Sequence, residues 1–436
     1  MLRFIIGVFV FSLAAQDPYG TIEGEVFDHS NAPIGGALVT LTNLNTGLER
    51  ATTVNAGGLF RLPLLPIGAY RVRVEAPRFS RFEQSPVQVN VGQTLRLVIT
   101  LEIATVTETV TVSGDAPLID TATNALGKVV TGRELTELPL NGRNFTQLGL
   151  LQTGVAPLTA GVRTAGGSLR QCQAYVVNGM RPETNMYLVD GAQNQNRMDG
   201  GFALRVPVDA IAEFRILTQS APPEYGGTGG ATTSVVSRSG SNRVHGSFYE
   251  FFRNDKFDAR NFFSERVEPL KQNQFGVTLG GPVRKDRSFL FGYFEGFRNR
   301  QGATYSATVP TARQRLGDFS ERSSPLINFA AGGVALPGNR IPEAAIHPVA
   351  QRVLSLYPAA NITPSLYRAT VVATDDYNQA GIRADYNFSS SNQAFIRYSF
   401  SGGHAINPIS VRGSEVPGFP TRDDTAAHSA VLSDTH

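Results

Sequence analysis

The side chains that most often carry catalysis are present in this sequence, but never at working spacings. The histidines, His29, His245, His347, His404, His428 and His436, are scattered without the short intervals that set two imidazoles on one metal. No zinc-protease motif occurs, and no serine stands in a strand–turn–helix elbow. Gly226-Gly227-Thr228-Gly229-Gly230 lacks the Lys-Ser/Thr of a phosphate loop, so backbone flexibility is its simpler role. Cys172 is the only cysteine, which excludes an intrachain disulfide, and no basic cluster or histidine lies close in sequence to activate its thiol. Asp423-Asp424 reads as a solvated loop. The sequence therefore offers no catalytic residue, no metal ligand and no cofactor site, and an enzyme is not expected.

What the sequence does carry is main-chain chemistry. Thr107-Glu108-Thr109-Val110-Thr111-Val112-Ser113 is an extended, β-branched run, set off by Gly114-Asp115-Ala116-Pro117. Such a run can join another sheet as an added strand, with backbone hydrogen bonds supplying affinity and alternate side chains selectivity. By itself it is equally a last strand of the preceding domain, or linker. Two turns stand out further on. Tyr175-Val176-Val177 closes on Asn178-Gly179, and Tyr187-Leu188-Val189 closes on Asp190-Gly191. Asn-Gly and Asp-Gly favour tight turns because they tolerate positive φ at low cost.

The elements that must position these features follow from periodicity. The 436 residues suffice for two or three domains, and a net charge of +3 with no basic block gives no support to nucleic-acid binding. Met1 to Ala15 has a positive Arg3, an apolar Phe4–Leu13 and a small-residue end, the pattern of an export signal. It is well short of the ~20 residues a spanning helix needs, as is every later apolar run. Any membrane span must therefore be a β-barrel. Gly20 to Leu101 carries short alternating strands, Tyr70-Arg71-Val72-Arg73-Val74-Glu75 the clearest, divided by Gly/Pro/Asn turns. This predicts a sandwich of about seven strands.

Between residues 118 and 242 the pattern is α/β. Thr131 and Glu134 have capping-box spacing for a short helix to Leu140. Arg143 and Asn144 read as loop-fixing polar residues. Pro207 and Asp209 signal a second helix start before strand-forming Phe214–Thr218. From Gly246 long aromatic strands take over. Phe275, Val277 and Leu279 share one face, as do Phe289, Phe291 and Tyr293, while Ile382, Ala384, Tyr386 and Phe388 oppose Arg383, Asp385 and Asn387. Ala394, Ile396, Tyr398 and Phe400 oppose Phe395, Arg397 and Ser399. Alternation of apolar-out with polar-in is what outer-membrane strands show, although a soluble sheet with one wet face gives the same pattern. A long insertion, 300–376, with an amphipathic helical stretch near Ala344–Tyr357, is either an outer lid or a spacer.

These motifs in order resemble the Oar-like branch of the TonB-dependent outer-membrane transporters. The match rests on Leu138-Pro139-Leu140-Asn141-Gly142-Arg143-Asn144-Phe145, the two turns, the Glu224-Tyr225-Gly226 to Asn242 exit, Gly280-Gly281-Pro282, and Phe289-Leu290-Phe291-Gly292-Tyr293-Phe294-Glu295-Gly296. Gly24-Glu25-Val26, Gly57-Gly58-Leu59-Phe60, Leu65–Tyr70 and Ala76-Pro77-Arg78-Phe79 resemble the carboxypeptidase regulatory-like domain, which implies no peptidase activity. The resemblance implies a mainly β protein with a signal peptide (1–15), a periplasmic prealbumin-like sandwich (20–102) and a linker (103–117). An α/β plug (118–242) and the first strands of an incomplete antiparallel barrel (243–436) follow. It implies residence in the cell outer membrane, against lipid, and uptake of an unidentified large ligand energised by TonB. Glu108, Thr109, Val110, Thr111, Val112 and Ser113 would then be the TonB-binding strand, and Asn178, Gly179, Asp190 and Gly191 the plug turns. An alternative is a carbohydrate-binding or adhesion protein, although without tryptophan only Tyr19, Phe60, Tyr70 and Phe79 are available to stack on a sugar. Transporters of this class close with about 22 strands. Half a dozen strand candidates are expected here, so the chain is expected to be a fragment or truncated product.

Overall fold

A computed structural model describes residues 18–104, 109–112, 125–157, 175–196, 200–226, 229–260, 262, 266–408 and 420–436. The expected signal, Glu108, Ser113 to Pro117 and Cys172 lie outside the described residues.

Alternation builds the N-terminal unit from eight strands: β1 (Tyr19–Asp28), β2 (Leu38–Asn43), β3 (Glu49–Thr53), β4 (Leu59–Pro66), β5 (Gly68–Glu75), β6 (Arg81–Val89), β7 (Thr94–Leu101) and β8 (Thr109–Val112). Two sheets, β4-β1-β7 and β3-β2-β5-β6-β8, enclose a core of Ile22, Val39, Leu41, Val72, Val74 and Ile99. In β5 the even positions Tyr70, Val72 and Val74 face that core, while Arg71 and Arg73 pair with Glu83 outside. Tyr19, Phe60 and Tyr70 are buried and Phe79 packs against the core, so none of the four forms a sugar-stacking platform. β8 lies parallel to β6, from Arg81 opposite Thr109 to Gln84 opposite Val112. The described part of the run, Thr109–Val112, which the resemblance placed in a linker, is here the edge strand of the sandwich.

The central unit holds β9 (Leu126–Thr131), α1 (Gly132–Glu137), β10 (Val155–Pro157), β11 (Tyr175–Val177), β12 (Met186–Val189), β13 (Ala192–Gln193), β14 (Ile211–Gln219) and β15 (Thr232–Ser237). Its main sheet runs β13-β12-β15-β14-β9, with β10 and β11 paired beside it. Helix is scarcer than the sequence reading implies. The Pro207/Asp209 signal yields one 3-10 turn, Val208–Ala210, and the chain then enters β14. Ile211, Phe214 and Ile216 are fully buried in that strand, and pairing to β15 on one side and β9 on the other outweighs the helix signal. The capping box at Thr131 does not form either. Thr131 ends β9, its side chain makes no cap, and Glu134 reaches Lys128 instead at 3.3 Å.

The C-terminal unit is an antiparallel wall: β16 (His245–Asn254), β17 (Leu270–Arg284), β18 (Ser288–Thr308), β21 (Leu366–Asn387), β22 (Gln393–Asn407) and β23 (Thr421–Thr435), hydrogen-bonded in that order. Between β18 and β21 lie α2 (Ala312–Arg315), β19 (Ile327–Asn328), β20 (Val334–Ala335) and α3 (Pro348–Leu356). The insertion is shorter than 300–376. β18 and β21 stay paired from Ser288/Tyr386 to Thr308/Leu366, which leaves 309–365 as the connection. The outer part of these strands is polar, with Arg300 bound to Asp376, so it lacks the apolar alternation by which a strand is read from sequence.

Leu279, Val277, Leu290, Ile382, Ile396, Tyr398 and Leu432 are exposed on the outside of the wall, an apolar band of the kind outer-membrane strands present. One strand reverses the expected pattern. Phe289, Phe291 and Tyr293 of β18 face inward, and Phe291 and Tyr293 join the same core as Phe202, Phe214 and Tyr187 of the central unit. The inner surface is filled by protein rather than water, so apolar residues suit both faces there.

Candidate functional site

The Asp190-Gly191 turn places a carboxylate where the central unit meets the wall. Asp190 has φ 49° and Gly191 φ 78°, a two-residue turn with both centres left-handed, and Asn178 (51°) and Gly179 (77°) repeat it. Asp190 has no exposed side-chain surface. It accepts hydrogen bonds from Ser237 N and Ser237 Oγ, both at 2.8 Å. From the wall, Arg383 Nη1 donates to Asp190 Oδ1 at 3.1 Å. Arg397 Nε stands 2.7 Å from Oδ2 but off the N–H axis, so this contact is an ion pair rather than an aligned hydrogen bond. Arg383 also grips Asp385 through Nε and Nη2, at 3.0 and 2.8 Å. Arg397 turns its other nitrogens to Ser399 Oγ, Ser429 Oγ and the Val189 carbonyl.

A second anchor lies on the other side of the central unit. Arg143 pairs with Asp209, and its guanidinium lies over the rings of Tyr249 and Phe251 on β16, 4.8 and 4.5 Å from their centroids. Asn144 caps the following turn, accepting from Thr146 N and Oγ1. Towards the long connections, Arg205 stacks on Tyr377 at 4.3 Å beside a cleft lined by Asp375, His404, Asp423 and Thr425.

The sandwich meets the opposite, short-turn end. Val91, just after β6, donates its N–H to Glu213 Oε2 on β14 at 2.8 Å, and its carbonyl accepts from Arg215 Nη1 at 2.8 Å. Asn242 N donates to the Asn45 carbonyl at 2.9 Å, and Thr435 Oγ1 to Tyr19 OH at 3.2 Å. Burial of Glu213 pushes its carboxyl up to about 7, against the lowering effect of the Val91 N–H, Arg215 and Gln88.

Of the residues singled out in the sequence, Thr109–Val112 lie on the sandwich edge and the turns at Asn178 and Asp190 lie in the central unit. Asp190 of these turns enters an ionic cluster with Arg383 and Arg397. Arg383 and Arg397 were legible as polar positions opposite apolar faces, but not as partners of Asp190. Glu213 and Arg215 gave no signal, since two buried charged residues in an inner strand look like two exposed residues in an alternating one.

Residues 236–436 match the outer membrane beta barrel domain family, and residues 21–102 the carboxypeptidase regulatory-like domain family. The TonB-dependent transporter Oar of Myxococcus xanthus is 28% identical over 302 residues, covering 65% of this chain and 27% of that protein. The ferrienterobactin receptor of Escherichia coli (strain K12) is 25% identical over 155 residues, 32% of this chain and 20% of its own length. Among solved structures, the outer membrane transporter YddB from Escherichia coli aligns with a TM-score of 0.45 at 11% identity, over 71% of this chain and 37% of that one. The chain thus spans about a quarter of the Oar relative and a fifth of the receptor.

Proposed function

We propose that this homologue of the Oar TonB-dependent transporter, resident in the outer membrane, serves as the gated receptor part of an uptake system for a large ligand. In this reading the central unit is the plug and the wall is the start of the barrel around it. The observation that carries the reading is the Asp190 cluster, in which one plug turn is held by arginines from two adjacent wall strands. Ligand would settle at the long-connection end, where Arg205 and Tyr377 flank the cleft. Glu108 to Ser113 would be the strand that TonB takes up from the periplasm, by pairing backbone to backbone. Energy would arrive as a pull, so none of these steps requires a nucleotide or metal.

The test is capture by the purified periplasmic domain of TonB. The chain should bind, and a variant lacking Thr107 to Ser113 should not. Equal capture of both would end the coupling assignment.

A further inference from the structure

The sandwich has a better-built attachment to the plug than a module on a string requires. Two charged side chains on one face of β14, Glu213 and Arg215, are 3% and 7% exposed, and between them they bind both polar atoms of the Val91 residue. The next residue, Gly92, has φ +61°, and any Cβ there would run into the Arg215 guanidinium and approach Tyr225 Oη. The β6–β7 turn is therefore shaped to the plug. Asn45 with Asn242, and Tyr19 with Thr435, fasten the same module to the base of the wall. Short turns lie on the periplasmic side of such barrels, and all three contacts lie at the short-turn end. A pull toward the periplasm on the plug's lower face therefore meets the sandwich first.

We propose that the sandwich is a detachable gate across the periplasmic end of the plug, held by a hook in which Glu213 and Arg215 grip Val91. The coupling strand is part of that gate. β8 is hydrogen-bonded along β6, and β6 runs directly into the hook at Val91, so force applied at Thr109–Val112 reaches the hook through one strand. This last step rests on the TonB reading above; the gate itself does not.

The gate is tested by electron-electron spin distances on the whole chain. Spin labels go at Thr53→Cys on the sandwich and Lys285→Cys on the wall, both exposed, in a Cys172→Ser background. The parent should give one short, narrow distance band. Arg215→Met, which removes the donor to the Val91 carbonyl, and Gly92→Ala, which fills the close approach, should each raise the long-distance population about tenfold. Backbone amide protection of β14 and β15 serves as the folding control and should not change. A distribution that stays narrow in both variants, with that protection intact, would overturn the hook. Adding the TonB periplasmic domain should move the parent toward the long band. If that domain binds and the band does not move, the coupling strand is not part of the gate. If it does not bind while Arg215→Met still opens the gate, the TonB reading fails and the gate stands.

Discussion

Neutralising Asp190 should loosen the plug from the wall more than any other single change in the described residues. Its carboxylate accepts two hydrogen bonds from Ser237 and faces Arg383 and Arg397, with no exposed side-chain surface of its own. In Asp190→Asn, Arg383 keeps its paired contact with Asp385. Arg397, with a side chain 2% exposed, keeps only the two serine hydroxyls and the Val189 carbonyl. Removing one partner of a buried pair costs about 3–5 kcal/mol, because the other charge stays buried and uncompensated. Half of the cluster survives through Asp385, so the lower end, about 3 kcal/mol, is expected. The assay is native-state hydrogen exchange at β12, β15 and the adjoining Asp190 N, which is bonded to the Val235 carbonyl. Exchange there should accelerate roughly a hundredfold, the equivalent of about 3 kcal/mol. Asp190→Leu with Arg397→Met should recover most of the loss, since an apolar replacement of a whole buried pair is often neutral. A change below about 1 kcal/mol in Asp190→Asn, or no coupling between positions 190 and 397 in the double-mutant cycle, would refute the reasoning.

The folded chain should lose stability as pH rises. The Glu213 carboxyl, raised from 4.5 to about 7 by burial, binds its proton more tightly in the folded chain than in the unfolded one. That contribution is complete below about pH 4.5, is lost between there and pH 7, and amounts to about 3 kcal/mol. Glu213→Gln should remove this pH dependence from the urea midpoint. Arg143→Lys should destabilise the plug–wall contact by about 1–2 kcal/mol, because a compact ammonium cannot cover both the Tyr249 and Phe251 rings while pairing with Asp209; urea midpoints read this. Gly179→Val should cost at least about 1 kcal/mol by the same measurement, as a β-branched residue is strained at φ 77°.

The architecture was legible wherever one face of an element meets water or lipid. Tyr70 to Glu75 declared its inner face, and Ile396 and Tyr398 their outer one. The reading failed where both faces are covered. Phe289, Phe291 and Tyr293 alternate as cleanly as any strand here, yet period two reports only that two faces differ, not which of them lipid touches. Val208 to Gln219 failed for a related reason: a proline and an aspartate are local signals, whereas the partners of β14 come from Leu126–Thr131 and Thr232–Ser237, distant in sequence. The Asp190 turn was found for its φ preference alone. Its charge, with partners 193 and 207 residues away, could be paired only once the sheet order was known.

In the function proposed above, both charged contacts also bear on how a firmly seated plug would be moved. The cost of deleting Asp190 is not the cost of parting it from Arg383 and Arg397. A deletion leaves a guanidinium buried alone, whereas movement of the plug carries the turn away and lets water reach both charges. Separation then costs only the net worth of the pair, which desolvation holds near zero to a few kcal/mol. The same holds for Glu213 and Arg215, which regain water when Val91 withdraws. Contacts of this kind are specific in register, since one residue's shift breaks every bond, yet cheap to open as a unit under a directed pull. An apolar seam of equal area would resist separation in proportion to the surface exposed, at about 25 cal/mol per Å². An ion pair at one seam and two charged side chains on a backbone residue at the other, rather than leucines, are therefore what the displacement proposed above would require.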